Sequence, residues 1–386
     1  MKHVVIIGAG FAGFLTAKRL AQRAQGSVQI TLVDPKDHFL FAPLLIDVLQ
    51  GDLKPEQITI PLAEMAQKQK IAFIQGRVVQ IQRADQRVQV ETAEGVRELG
   101  FDILVITSGA TTNYFGNASA EKVSFPLKTL KDAARLRSRI EWIIKQATAT
   151  EDSTERRRLL SFCVVGAGAT GIEALCSMQD IAYEATHQVP ALRSDMQFHL
   201  FQAATQILPG FPLRMVNFAL AECEKRGFMV HCGVPVSEVT EQSLVCVDGS
   251  RFDAGCVLWS AGLAPNMVSV DIDLPKAGPW LNVDAFLRVS DTIFAAGDIV
   301  SASYQKVLVP KNAQTARLMA FVLAENVWRT LTARRDLKPF TYFSKGTLLV
   351  MGQNGYADFR WFGLPGAWVG KVRAFFYRVM MWQMAR

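Results

Sequence analysis

Two six-residue stretches share one glycine spacing: Gly8-Ala9-Gly10-Phe11-Ala12-Gly13 and Gly166-Ala167-Gly168-Ala169-Thr170-Gly171. The chemistry this spacing serves is capture of a pyrophosphate. A diphosphate must approach the backbone N–H groups that open a helix, where the helix dipole also favours negative charge. In each stretch the first glycine makes the tight turn, the second leaves room for the phosphates, and the third lets the helix pack closely on its strand. Asp34 stands 21 positions after Gly13, where a carboxylate accepts hydrogen bonds from a ribose diol. At the equivalent place after the second stretch stands Gln202, which bonds ribose hydroxyls but carries no charge to repel a 2′-phosphate.

Such loops work only between a strand and a helix. Val4-Val5-Ile6-Ile7 reads as the strand before the first, a helical pattern runs on to Ala24, and Gln29-Ile30-Thr31-Leu32-Val33 reads as the next strand. The same syntax returns at Phe162-Cys163-Val164-Val165, a helix, and Gln197-Phe198-His199-Leu200-Phe201. The fold class is therefore α/β, with two Rossmann-like doubly wound domains. Between the two units, residues 147–158 are polar, and Arg156-Arg157-Arg158 reads as a solvated face or helix cap. Further strand-like runs are Cys256–Trp259 and Ile293–Ala296.

A chain of 386 residues has room for two or three such domains. Its 42 basic against 35 acidic residues leave a net charge of +7, yet only 20% of the chain is charged, too sparse for a nucleic-acid surface. An anionic membrane surface fits better. The six cysteines, at 163, 176, 223, 232, 246 and 256, form neither a CxxC nor a metal-ligand spacing, so neither a redox dithiol nor a metal is expected. No apolar run reaches the roughly 18 residues of a membrane span, and Met1-Lys2-His3 leads straight into a strand, so no leader is expected. From Trp361 onwards four basic residues, Lys371, Arg373, Arg378 and Arg386, occur without an acid. On a helix, Trp368, Val372, Phe375, Val379 and Trp382 fall within about 40° of one line, flanked by Lys371 and Arg378. That describes a helix lying on a lipid surface; a core-facing or dimer-forming helix is the other reading, and a homodimer is expected.

Two dinucleotide loops in one chain resemble the two-dinucleotide-binding flavoprotein superfamily. Thr292-Ile293-Phe294-Ala295-Ala296-Gly297-Asp298 resembles its second FAD motif, in which the Asp holds the ribityl chain. Residues 104–110 and 258–262 resemble its crossing strands. The segments Phe41-Ala42-Pro43-Leu44-Leu45, 108–116 and Ile207-Leu208-Pro209-Gly210-Phe211 are similar to those of the type II NADH dehydrogenase (NADH:quinone oxidoreductase) family, a likeness running to about residue 355. It implies an FAD domain at 1–120 and 267–336, an inserted NAD(P) domain at 121–266, and a membrane-associating or dimerising segment at 337–386. FAD would touch Gly8, Gly10, Ala12, Gly13, Asp34, Ser108, Gly109, Ala110, Gly297, Asp298, Asn312 and Ala313. The nicotinamide nucleotide would touch Gly166, Gly168, Gly171, Gln202, Ala261 and Gly262, with NADH favoured and NADPH open.

Glu173, two positions after the second loop, suits a helix start by its charge. By resemblance it reaches the nicotinamide side of the flavin and pairs with Lys345. Gln314 belongs to a segment resembling Ala-Gln-x-Ala-x-Gln and would bond a quinone carbonyl; Leu318 replaces the second Gln and leaves the head group open. The resemblance thus implies hydride passing from NAD(P)H to FAD and two electrons onward to a membrane quinone, without proton pumping, on the cytoplasmic face of the cell membrane. A soluble reductase of ferredoxin or another protein acceptor, and a non-enzymatic NADH-sensing flavoprotein, are the alternatives.

Overall fold

The computed structural model describes residues 1–270, 274–359 and 361–385. The chain opens with strand β1 (His3–Ile7), helix α1 (Phe11–Ala24) and strand β2 (Gln29–Asp34). Val4 to Ile7 are all buried, as a central parallel strand covered on both faces requires. After α2 (Leu45–Gln50) come β3 (Ala72–Gln75) and β4 (Ile103–Ile106). An antiparallel meander of 77–82, 87–92 and 95–100 lies between those two strands in sequence.

The chain then leaves for a second unit. It comprises α3 (Leu130–Ala149), β5 (Ser161–Val165), α4 (Ala169–Ala185), β6 (Gln197–Gln202), β7 (Met229–Cys232) and β8 (Cys256–Trp259). Its parallel sheet has the order β7-β6-β5-β8. The polar segment 147–158 belongs to this unit as the end of α3 and a short helix, Ser153–Leu159, capped by Asp152. Its arginines are partnered, Arg156 by Asp195 at 2.8 Å and Arg158 by Glu155.

The return is made by β9 (Ile293–Ala295), which joins the first sheet beside β4 to complete the parallel order β9-β4-β1-β2-β3. The outgoing and returning connections cross as an antiparallel pair, Ala110–Thr112 against Leu263–Pro265. Helix α5 (Ala313–Leu331) packs along α1. The tail is built into the body: β10 (Thr347–Met351), β11 (Asn354–Asp358) and β12 (Gly363–Pro365) form a three-stranded antiparallel sheet, followed by α6 (Trp368–Ala385). Arg214 fastens this sheet to the second unit through Asp358 at 2.6 Å.

Helix α6 straps the two units together. Val369, at its start, is fully buried beside Gly355 of β11. At its end Lys18 of α1 donates from Nζ to the carbonyls of Met384 (2.8 Å) and Gln383 (3.3 Å), a cation on the last turn where the dipole favours it. The expected stripe faces outward: Trp368, Phe375 and Trp382 are exposed, Val372 and Val379 half-buried. Arg373 departs from the expected set of tail cations, because it is buried on the opposite face. Arg386 lies outside the described residues. Among the described residues no helix is long and apolar enough to cross a membrane.

Candidate functional site

Both glycine loops sit at the carboxyl ends of their parallel strands, where ligands of open α/β sheets bind. In the first, the Gly8 N–H donates to Val33 O at 2.8 Å, and Thr107 Oγ1 donates to Ile7 O and Gly8 O. Gly8 has φ +92°, and a Cβ on it would meet Thr107 O at 2.4 Å. A Cβ on Gly13 would fall 1.8 Å from Gly8 O, so the close helix-on-strand contact needs glycine there. A Cβ on Gly10 would meet nothing within 4 Å. The second loop repeats all three features: Gly166 at φ +104°, Gly171 with a Cβ 1.9 Å from Gly166 O, and open space at Gly168. The middle glycine is therefore not required by protein packing in either loop. The space it keeps clear lies at a helix N-terminus, where the dipole favours an anion.

The residues ending β2 and β6 occupy equivalent positions. Asp34 accepts from the Ala9 N–H at 2.7 Å and the Lys36 N–H at 2.8 Å. Gln202 accepts through Oε1 from the Ala167 N–H at 2.9 Å. Its amide oxygen thus steadies the loop. Leu208 packs on this loop too, donating its N–H to Ala167 O at 2.8 Å.

The two halves of the first site converge across the chain. A Cβ on Gly297, at φ +82°, would lie 3.1 Å from Ala12 Cβ, so the second FAD-like motif abuts the first loop. Ser108 and Gly109 are held by Asn266, with Ser108 Oγ donating to Asn266 O at 2.7 Å and the Asn266 N–H donating to Gly109 O at 3.0 Å. Asp298 is half-buried, and burial raises its pKa against the pull of Lys128 and Lys311. Lys311 is pushed down to about 8 by burial, with Asp298 opposing. It donates from Nζ to Asp298 O and Val300 O and lies 3.7 Å from the Trp280 ring centroid. No sequence motif singles out Lys128 or Lys311: Lys128 stands in an unmarked loop, and Lys311 directly precedes the marked Asn312, a neighbourhood that is the one signal available. Asn312 caps α5, its Oδ1 accepting from the Thr315 N–H at 2.9 Å. Gln314 is half-buried in that first turn, and Thr315 Oγ1 is buried there with no protein partner.

Glu173 corrects one expectation. It is half-buried, and its partners are the Val350 N–H at 2.9 Å and the Arg373 guanidinium at 3.3 Å. Lys345 does not pair with it; that lysine is exposed in the loop leading to β10. The reason is geometric: α6 packs on β10 and β11, and from that seat its Arg373 guanidinium reaches the carboxylate. Arg373 also meets Asp47 of α2, both oxygens at 3.3 Å from Nη2. Burial raises the pKa of both Glu173 and Asp47, with Arg373 opposing.

All six cysteines are free, and all but Cys232 are buried. Burial pushes their thiols up, Cys256 and Cys223 to about 12, so none is poised as a thiolate.

Against known proteins, the family model described as pyridine nucleotide-disulphide oxidoreductase matches residues 2–320. The type II NADH:quinone oxidoreductase Ndh of Mycobacterium tuberculosis is 28% identical over 371 residues, 91% of this chain and 78% of that protein. The type II NADH:quinone oxidoreductase of Staphylococcus aureus is 28% identical over 388 residues, 98% of this chain and 94% of that protein. Among solved structures, NDH2 from Plasmodium falciparum in complex with NADH has a TM-score of 0.90 at 18% identity, covering 100% of this chain and 96% of that one. The sulfide:quinone oxidoreductase of Aquifex aeolicus has a TM-score of 0.82 at 18% identity, covering 100% and 92%. These two likenesses are of fold.

Proposed function

The chain belongs to the pyridine nucleotide-disulphide oxidoreductase family, and from that premise we propose that it is an FAD-dependent NAD(P)H:quinone oxidoreductase of the type II kind. The observation that carries this reading is the pair of equivalent glycine loops, each with a cleared middle position, in a fold whose cysteines offer no thiol relay. Electrons collected there must leave for an acceptor that is not a protein dithiol. When bound, the two dinucleotides supply hydride transfer and two-electron reduction of that acceptor.

The chain's own residues do the holding. In this reading the unit of residues 1–120 and 267–336 takes FAD, with Gly10 at the pyrophosphate, Asp34 at the ribose, Ala12 and Gly297 closing the cradle, and Asp298 at the ribityl chain. Ser108, Gly109 and Ala110 line its crossing strand, while Asn312 and Ala313 offer the N-terminus of α5. The inserted unit takes the nicotinamide nucleotide on Gly168 and Gln202, bounded by Gly166, Gly171, Ala261 and Gly262. A carbonyl of Gln202 engaged with the loop leaves an uncharged NH2 toward the 2′ position, which supports use of NADH while admitting NADPH. Glu173 stands on the nicotinamide side as a proton-holding carboxylate, and Gln314 is the candidate hydrogen-bond partner of the quinone.

The exposed aromatic face of α6, with Lys371 and Arg378 beside it, supports peripheral seating on an anionic membrane, the cytoplasmic face being expected. A homodimer would draw on the same face.

The test is anaerobic stopped-flow mixing of the FAD-loaded protein with NADH and with NADPH, followed by ubiquinone, menaquinone or ferredoxin. Bleaching of the flavin and reoxidation by a quinone are expected. Failure of both nucleotides to bleach it overturns the reading, and reoxidation by ferredoxin alone transfers it to the protein-acceptor class.

A further inference from the structure

Glu173 is gripped from the tail of the chain. Its side chain is 12% exposed, that of Asp47 14% and that of Arg373 7%, so two carboxylates share one guanidinium away from water. The three residues come from α4, α2 and α6, separated by up to 326 positions, and no other side chain bonds the Glu173 carboxylate among the described residues. Arg373 is stretched rather than seated: its contacts are at 3.3 Å on both sides, and its Nε is buried with no partner. A guanidinium so placed can tighten on either carboxylate. The cluster also lies near the first loop. Phe11, directly after Gly10, meets Phe41 at 5.2 Å, and Phe41 meets Tyr377, one turn beyond Arg373, at 5.3 Å between ring centroids.

We infer that Arg373 is a positioning residue for Glu173: anchored on Asp47, it fixes where the glutamate carboxylate stands beside the nicotinamide, so that the hydride step depends on how helix α6 is seated. The inference rests on the functional reading above. The charged and titratable groups facing Glu173 are Asp47 from α2, with Asp52 just beyond it, Arg373 and Tyr377 from α6, and on α4 itself the Cys176 thiol, which burial keeps neutral. From β10 it meets only the Val350 N–H. Without Arg373 the two carboxylates face each other with no opposing charge, which favours their protonated forms and frees Glu173 to turn from its place.

The test uses the full-length, FAD-loaded protein and follows flavin bleaching by NADH across pH. Arg373→Gln is expected to slow bleaching by about 10- to 100-fold, the scale of a displaced positioning group, and to move the ionisation seen in the rate to higher pH. Arg373→Lys should restore part of both. The decisive arm is the double variant: if Arg373 acts through Glu173, adding Arg373→Gln to Glu173→Gln costs little further rate. An Arg373→Gln protein with the native rate and pH profile overturns the inference, as does a full additional loss in the Glu173→Gln background. Should Arg373→Gln fail to hold flavin, Asp47→Asn, which removes the anchor but leaves the Arg373–Glu173 pair in place, must show a smaller loss of rate and, with one like charge gone, an ionisation moved to lower pH; a native rate and pH profile there is equally fatal. If NADH and NADPH both leave the wild-type flavin oxidised, the functional reading itself falls and takes this inference with it.

Discussion

Gly168→Ala and Gly171→Ala differ by one methyl in the same loop and should fail in opposite ways. Gly168 caps α4 at φ −77° and ψ 177°, an extended conformation open to any residue, and its added Cβ meets no protein atom within 4 Å. Stability should therefore move by no more than about 1 kcal/mol, a poorer cap being set against a less flexible unfolded chain. The methyl instead enters the space kept for the nucleotide's phosphates. Loss of one charge-assisted hydrogen bond there, about 1.5–3 kcal/mol, weakens NADH binding by roughly 12- to 160-fold. At Gly171 the added Cβ falls 1.9 Å from Gly166 O, so the helix must back away from its strand. Overpacking of that kind costs about 1–3 kcal/mol and lowers the melting midpoint by about 1–4 °C. Titration of flavin bleaching with NADH, beside thermal melts of both variants, separates the two. A Gly168→Ala protein that binds NADH as tightly as wild type, or that melts as early as Gly171→Ala, refutes the assignment of this loop to the pyrophosphate.

Gln202→Glu keeps the acceptor for the Ala167 N–H and adds a charge where a 2′-phosphate would stand, so the NADPH to NADH ratio of kcat/KM should fall by about tenfold or more; an unchanged ratio removes Gln202 from the ribose. Serine at Trp368, Phe375 and Trp382 together should abolish co-sedimentation with phosphatidylcholine–phosphatidylglycerol vesicles at little cost in stability, since these side chains are already exposed; undiminished binding refutes the lipid face. His199 is pushed down to about 4, by burial first and then by His231, 3.1 Å away. Unfolded it titrates near 6.5, so the stability intact above about pH 6.5 drains away as the pH falls toward 4, on the order of 2–3 kcal/mol. Urea midpoints at pH 7.5 and 4.5 measure this, and His199→Phe should flatten the difference.

What the sequence declares is what short stretches of chain decide alone. Strand, glycine turn, helix and acid lie within 32 residues of one another in the first unit, from His3 to Asp34, and the turn's steric demands act on neighbours in sequence. The repeat from Ser161 to Gln202 follows the same order over a longer stretch, with Gln in place of the acid. The meander at 77–100 and the sheet β10-β11-β12 escape that reading because their alternation is short and interrupted. The cluster of Asp47, Arg373 and Glu173 escapes for a different reason. Helical periodicity alone sets Arg373 apart from Lys371 and Arg378, which flank the aromatic stripe, but nothing local says that its side of α6 will be buried or that Asp47 and Glu173, far away in sequence, will meet it there.

That burial changes what the tail is. A helix added only for attachment would have no reason to bury an arginine, since a cation taken from water is costly unless opposed by charge. Here two carboxylates oppose it, one from each dinucleotide-binding unit, and Lys18 closes the far end of the same helix onto the first unit. The outer face meanwhile leaves Phe375, Phe376 and Trp382 in solvent. Detaching α6 thus takes the opposing charge from Asp47 and Glu173 and the Tyr377 ring from Phe41, whereas covering its aromatic face disturbs neither. The two faces therefore predict different consequences: changes outside should alter where the protein resides, and changes inside should alter how it reacts.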